Sequence, residues 1–198
     1  MKRQWLRIST FVFVVAVILL PGCQFIGINT GEEVDKRYLY LNSTCPFPYK
    51  RGVLYGNDLR PTEIAPIESL LNILLADICE GKLVRLTEII DPIQGLYVDA
   101  KGFYAYEEVL QDLANPEGYF QTYYFDPQLL AKRKGTNSYL TVRQSLVSAG
   151  EIYADYYISS REEVEVRLRF SENTENAENL INSSFSKKKG KWYLLRIL

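Results

Sequence analysis

Residues 152–170 read IYADYYISSREEVEVRLRF, and their period of two decides the fold class. Ile152, Ala154, Tyr156 and Ile158 alternate with Tyr153, Asp155 and Tyr157. After a short polar break, Val164, Val166, Leu168 and Phe170 alternate with Glu165, Arg167 and Arg169. Successive side chains of a strand point to opposite faces, so the pattern predicts two half-buried antiparallel strands. Downstream, residues 181–187 and 191–198 flank Lys188-Lys189-Gly190 and read as a closing hairpin. In its last strand Trp192, Leu194 and Leu198 share one face while Tyr193, Leu195 and Ile197 share the other, which predicts a strand interior to the sheet.

Upstream of residue 150 the period changes to 3.6. In residues 66–80 (PIESLLNILLADICE), Ile67, Leu70, Leu71, Leu74, Leu75 and Ile78 fall on one helical face, with Pro66 in the first turn and Gly81 as the stop. Residues 82–90 predict a short helix ended by Asp91-Pro92, and residues 106–113 another ended by Asn115-Pro116. Residues 95–99 read as extended, and Thr141 is placed to cap a helix running to Ala149. The aromatic run 119–126 (YFQTYYFD), bounded by Gly118 and Pro127, predicts a strand. Residues 24–65 are broken by Gly and Pro, and only 37–41 suggest a strand there. The reading is therefore an α+β fold, with N-terminal helices packed on a curved antiparallel sheet.

The helix ending in Cys79-Glu80-Gly81-Lys82, the short helix up to Ile90-Asp91-Pro92 and the closing Gly190-Lys191-Trp192-Tyr193-Leu194-Leu195 carry a resemblance. Over residues 63–198 the chain resembles the NTF2-like, or cystatin-like, α+β fold. That fold hosts enzymes, binding domains and assembly modules, so the resemblance implies an architecture and no activity.

The N-terminus is a different kind of sequence. Lys2, Arg3 and Arg7 precede an uncharged apolar run over residues 8–20, too short for the roughly 20 residues that span a bilayer. Leu20-Pro21-Gly22-Cys23 follows. It resembles the lipobox of bacterial lipoproteins, with Pro21 departing from the usual small residue. The resemblance implies a signal peptide over residues 1–22 and a lipidated Cys23 that tethers the protein to a bilayer; an uncleaved anchor is the competing reading. Gln24, where an Asp would argue for the inner membrane of enteric bacteria, points toward the outer membrane of the cell envelope. The chain also resembles small lipoproteins of spirochaetes. Residues 23–62 then read as a tether and extended arm, and residues 63–198 as the globular domain.

Without residues 1–22 the chain carries 20 basic and 24 acidic residues, a net charge of −4 that argues against nucleic acid as a partner. Outside the cytoplasm Cys45 and Cys79 are free to form a disulfide, although Cys79, beside the apolar stripe of its helix, also suits a buried thiol. The chain contains no histidine, which excludes Ser-His-Asp and Cys-His catalysis and a His-ligated metal. No calcium, phosphate or dinucleotide motif occurs, so neither a cofactor nor a metal is expected. The lysines at 187–189 and 191 read as a solvated turn.

Two kinds of candidate site remain. Tyr97, Tyr104, Tyr119, Tyr123, Phe125 and Tyr156 are candidates for an aromatic surface that takes a protein, a glycan or an apolar ligand. On a strand, Tyr119, Tyr123 and Phe125 would face one way and Phe120 and Tyr124 the other. Asp91, Asp99 and Asp126 are weak candidates for a paired-carboxylate hydrolase, each with a capping or turn role available instead. The leading expectation is a non-enzymatic, membrane-anchored binding module. The alternatives are a carboxylate hydrolase in the same cavity and a homodimer formed through the sheet.

Overall fold

Residues 45, 47–99 and 102–198 are described by a computed structural model. The signal segment, Cys23 and the expected strand at 37–41 lie outside the described residues. In chain order the elements are β1 (Tyr49–Tyr55), α1 (Ala65–Glu80), α2 (Leu86–Ile89), β2 (Leu96–Tyr97), β3 (Phe103–Tyr104) and α3 (Tyr106–Leu113). A π-helical segment (Gln121–Phe125) and α4 (Pro127–Lys134) follow, then α5 (Val142–Val147). The chain ends with β4 (Ile152–Ser160), β5 (Glu163–Phe170), α6 (Thr174–Glu178), β6 (Ser183–Lys188) and β7 (Lys191–Arg196).

The fold is α+β, with one open sheet of seven strands in the order β1-β4-β5-β6-β7-β2-β3. The strands at 152–170 pair as their alternation predicts. Tyr156 lies opposite Val166, with Ile152, Ala154, Tyr156, Val164, Val166 and Leu168 all buried. β7 lies between β6 and β2 as its two apolar faces require, and Trp192 and Leu194 are buried. α1 buries Ile67, Leu71, Leu74, Leu75 and Ile78 in the same apolar cluster as the inward residues of the sheet. Its end follows the glycine logic: Gly81 adopts φ 81°, its N–H donates to Ile78 O, and the next N–H donates to Asp77 O.

Two pairings depart from the antiparallel expectation. β1 runs parallel to β4, and β2 runs parallel to β7. A parallel neighbour needs a long crossover, and the helices between β1 and β4 and between β2 and β7 supply one each. The domain boundary expected at residue 63 moves as well, because β1 is part of the sheet and Phe47 and Leu59 are in the core.

The irregularity of β1 explains why its sequence, YKRGVLY, shows no alternation. Its register slips between Arg51 and Leu54, where the buried carboxylate of Asp155 faces it. One oxygen of Asp155 accepts the Val53 N–H at 2.8 Å, and Arg169 grips the carboxylate with two N–H donors at 2.5 and 3.0 Å. A Cβ on Gly52 would overlap that same carboxylate oxygen, so glycine is what lets the carboxylate approach. Arg51 then makes a two-pronged contact with Glu68 of α1, at 2.7 Å on each prong. A Cys45–Cys79 disulfide with a Cα separation of 5.6 Å ties the start of this segment to the last turn of α1. Closing a loop of that length contributes about 4 kcal/mol on the chain-entropy account.

Three local expectations are corrected. The helix expected over 82–90 is confined to Leu86–Ile89, because the buried Asp77 carboxylate accepts the Arg85 backbone N–H and its Nε, both at 2.7 Å, and holds the preceding turn open. α4 was not anticipated, although Asp126 caps it by accepting the N–H groups of Gln128 and Leu129. The run 119–126 is helical and not a strand, and the site is built on that difference.

Candidate functional site: an aromatic cleft over a pi-helical segment

Asp112, near the end of α3, accepts the backbone N–H of Tyr119 at 2.7 Å and of Phe120 at 2.9 Å. These are two of the donors that the start of a helix leaves without intrahelical partners, so the carboxylate acts as a cap from a neighbouring element. Gly118 makes this possible, since a Cβ there would sit 2.7 Å from the Asp112 carbonyl oxygen. The segment then widens by one residue: Asp126 N–H donates to Gln121 O at 2.9 Å, five residues back. Capping and burial here override the strand preference of Tyr and Phe.

Strand and helical spacing agree on part of the outcome. In both, Tyr119 goes with Tyr123 and Phe120 with Tyr124. Phe120 and Tyr124 are buried with ring centroids 5.9 Å apart. Tyr119 and Tyr123 lie side by side at 4.7 Å, half-buried, with Tyr104 edge-on to Tyr119 at 6.2 Å. Phe125, expected with Tyr119 and Tyr123, instead packs beside Tyr124 at 6.1 Å and is not part of the cleft lining.

Tyr119, Tyr123 and Tyr124 line a cleft of about 330 Å³ with Leu130 and Lys134 of α4, Tyr139 and Leu140 beyond it, Val142 and Ser145 of α5, residues 179–181 and Leu198. That volume is at the lower end of the roughly 300–1,000 Å³ usual for small-molecule sites. Lys134 lies with its ammonium 5.4 Å from the centre of the Tyr123 ring and 5.3 Å from that of Tyr139. Such contacts hold a cation over the electron-rich faces of both rings. Within the wall, Tyr119 OH donates to Val98 O and Tyr124 OH to Leu198 O. Burial pushes both phenols well up from their ordinary range, so they stay protonated donors; the neighbouring Asp99 adds to the rise at Tyr119.

The remaining candidates are dispersed. Tyr156 is fully buried on β4 and is a core residue, closed to any ligand. Tyr97 of β2 is 41% exposed, edge-on to Phe103 at 5.2 Å, and is not part of the cleft lining. Asp91 accepts the N–H groups of Ile93 and Gln94 in a turn, and Asp126 is the cap of α4. Only Asp99 reaches the cleft, where it also accepts the Gly102 N–H. The three acids therefore do not assemble into a carboxylate pair.

Lys134, Tyr139 and Leu140 were not anticipated as site residues. The available signal was Asp126-Pro127 as a helix start and Lys132-Arg133-Lys134-Gly135 as its basic last turn and stop.

A second, shallower groove lies between the start of α1 and the β6–β7 hairpin, lined by Pro66, Leu70, Lys187, Lys191 and Trp192. Glu63 also lines it, and none of the tyrosines, Phe125 or aspartates singled out from the sequence does. Among the described residues no group of three or more His, Cys, Asp or Glu side chains is placed to hold a metal, and no helix is long and apolar enough to cross a membrane. Fold and site thus define an α+β domain with a seven-stranded mixed sheet and an aromatic cleft. Comparison with protein-family models, curated proteins and solved structures finds no match to this chain.

Proposed function

We propose that this protein is a lipid-anchored component of a bacterial cell envelope, of the type found in spirochaetes, and that its domain is a non-enzymatic binding module. The anchor is Cys23, acylated after removal of residues 1–22, in the outer membrane. The domain is of the NTF2-like, or cystatin-like, type. Support for this comes from the helices that precede the short β2–β3 hairpin, the meander β4-β5-β6-β7, and the return of β2 alongside β7.

The observation that carries the binding reading is the π-helical segment. A π-helical turn is rare and occurs frequently at functional sites, and here its Tyr123, with Tyr119 just before it, forms one wall of the cleft. The ligand is a small apolar or aromatic body rather than a long polymer, because the cleft is short and walled by Leu, Val and Tyr side chains.

A fragment screen followed by NMR shift mapping tests this reading. Hits should perturb Tyr119, Tyr123, Tyr139 and Leu140 together. Perturbations clustered at the Trp192 groove, or scattered with no cluster, would overturn it. Mass spectrometry of the native N-terminus tests the anchor: an acylated Cys23 as the first residue is expected, and an intact Met1 or an unmodified Cys23 contradicts it.

A further inference from the structure

Lys134 is the feature of the cleft that a purely apolar ligand leaves unexplained. It is an exposed lysine at the end of α4, its ammonium placed over rings from two separate segments, so it borders the cleft at its solvent-facing rim. Among the described residues it forms no salt bridge. Lys132 and Arg133 precede it in the same last turn, where the helix dipole favours cations. Two of the three would meet that need, and the third is turned onto the tyrosines. Lys134 is the basic residue of the cleft lining, and the wall around it combines the Tyr123 and Tyr139 rings with Leu130, Leu140 and Val142. The acidic lining residue, Asp99, sits by Tyr119 at the β2–β3 end and is engaged by the Gly102 N–H.

We propose, building on the reading of the cleft as a binding site, that its ligand is an apolar monocarboxylate. The hydrocarbon or aryl body lies against Tyr119, Tyr123 and Leu140, and the carboxylate pairs with the Lys134 ammonium at the rim. That pairing is a charge-assisted hydrogen bond, stronger than one between neutral groups, and the two rings hold the ammonium where the carboxylate meets it. The Lys134 charge also raises the local concentration of anions at the entrance and opposes a cationic head group there.

The test is calorimetric titration of the full chain in lipid nanodiscs, with empty nanodiscs as the reference. Three probes share one body and differ in head group: 4-phenylbutyrate, 4-phenyl-1-butanol and 4-phenylbutylamine. The acid should bind at least tenfold more tightly than the alcohol, and the amine more weakly than either. Lys134→Met keeps the apolar stem and removes the charge; it should bring the acid to within twofold of the alcohol and leave the alcohol unchanged. An acid no tighter than the alcohol, or a preference that survives Lys134→Met, overturns the carboxylate inference while leaving the cleft a binding site. If no probe binds, the cleft reading falls with it. Tyr123→Ala removes a wall of the apolar body and one of the rings beside Lys134, so it should weaken all three probes and the acid most; an alcohol affinity left unchanged would contradict the placement of the apolar body.

Discussion

The β1–β4 edge and the segment 119–125 are both rich in tyrosine, yet the inner face of the first, at Tyr156, is sealed while the tyrosines at 119 and 123 of the second border a cleft. At the edge, Tyr156 is fully buried and Asp155 is only 2% exposed; Arg51 and Tyr49 reach from β1 to Glu68 of α1, Tyr49 through a 3.3 Å hydrogen bond to its carbonyl. In the helical segment Phe120 and Tyr124 go to the core, while Tyr119 and Tyr123 are half-buried in the wall of a cleft. The polar groups are also held differently in the two regions. At the edge, a buried carboxylate is matched by Arg169, the Val53 N–H and a glycine that makes room for it. In the helical segment, the phenols of Tyr119 and Tyr124 are fixed to backbone carbonyls, Tyr124 inside the core and Tyr119 in the cleft wall beside Tyr123. Within 119–125 the spacing decides the role: Tyr124 is turned into the core, whereas Tyr119 and Tyr123, half-buried, line the cleft.

The sharpest way to break this comparison is to remove one ring from each region. Tyr156→Ala deletes a large, fully buried side chain and should cost about 3–5 kcal/mol, visible as a melting-temperature drop of roughly 10 °C. A drop under about 3 °C would mean that the β4 edge is not sealed. Next in size is the disulfide: replacing Cys45 and Cys79 together by Ala should lower chemical-denaturation stability by up to about 4 kcal/mol, and an unchanged midpoint would remove the arm from the folding unit.

Asp155 comes third. Asp155→Ala leaves the Val53 N–H unpaired and should cost about 1–3 kcal/mol, and Gly52→Ala should be comparably harmful through steric overlap. The pH dependence has a definite sign. Arg169 holds the Asp155 carboxyl below the usual carboxylate range against the opposing effect of burial, with the Val53 N–H helping. A carboxylate with a depressed folded pKa stabilises fully above its unfolded value, about 4, and loses that contribution as pH falls toward the folded value. Wild-type stability should therefore fall more steeply below about pH 4 than that of Asp155→Asn. Parallel acid-unfolding profiles would show that the carboxylate is not engaged.

Much of the sheet was readable because its strands are regular. The alternation at 152–170 and the two-faced closing strand report burial directly, as the apolar stripe at 66–80 does for α1. Thr141 capped its helix as expected, its hydroxyl accepting the Gln144 N–H while the Gln144 side chain accepts the Thr141 N–H. β1 escaped because a bulge at Gly52 breaks its period, and what straightens it into the sheet is a carboxylate about a hundred residues away. The segment 119–125 escaped because its local preference is for strand, while its helical form depends on Asp112, which no local pattern connects to it. The site followed the same division. Tyr119, Tyr123 and Asp99 were among the residues singled out, whereas Lys134 and Tyr139 join the cleft only through the turn of α4, a tertiary event.

The smallest expected stability effect belongs to the cleft, and it gives the most direct test of the central claim that the outward tyrosines of 119–125 serve binding and not folding. The measurement is the thermal melt of wild type and Tyr123→Ala, each with and without 4-phenylbutyrate. Without ligand the two melts should lie within about 3 °C of each other. With ligand at about a hundred times its dissociation constant, wild type should rise by roughly 5–10 °C, the shift for about 2.7 kcal/mol of linkage, and Tyr123→Ala should rise by far less. A variant that melts as low as Tyr156→Ala, or that keeps the full ligand-induced rise, would contradict the account.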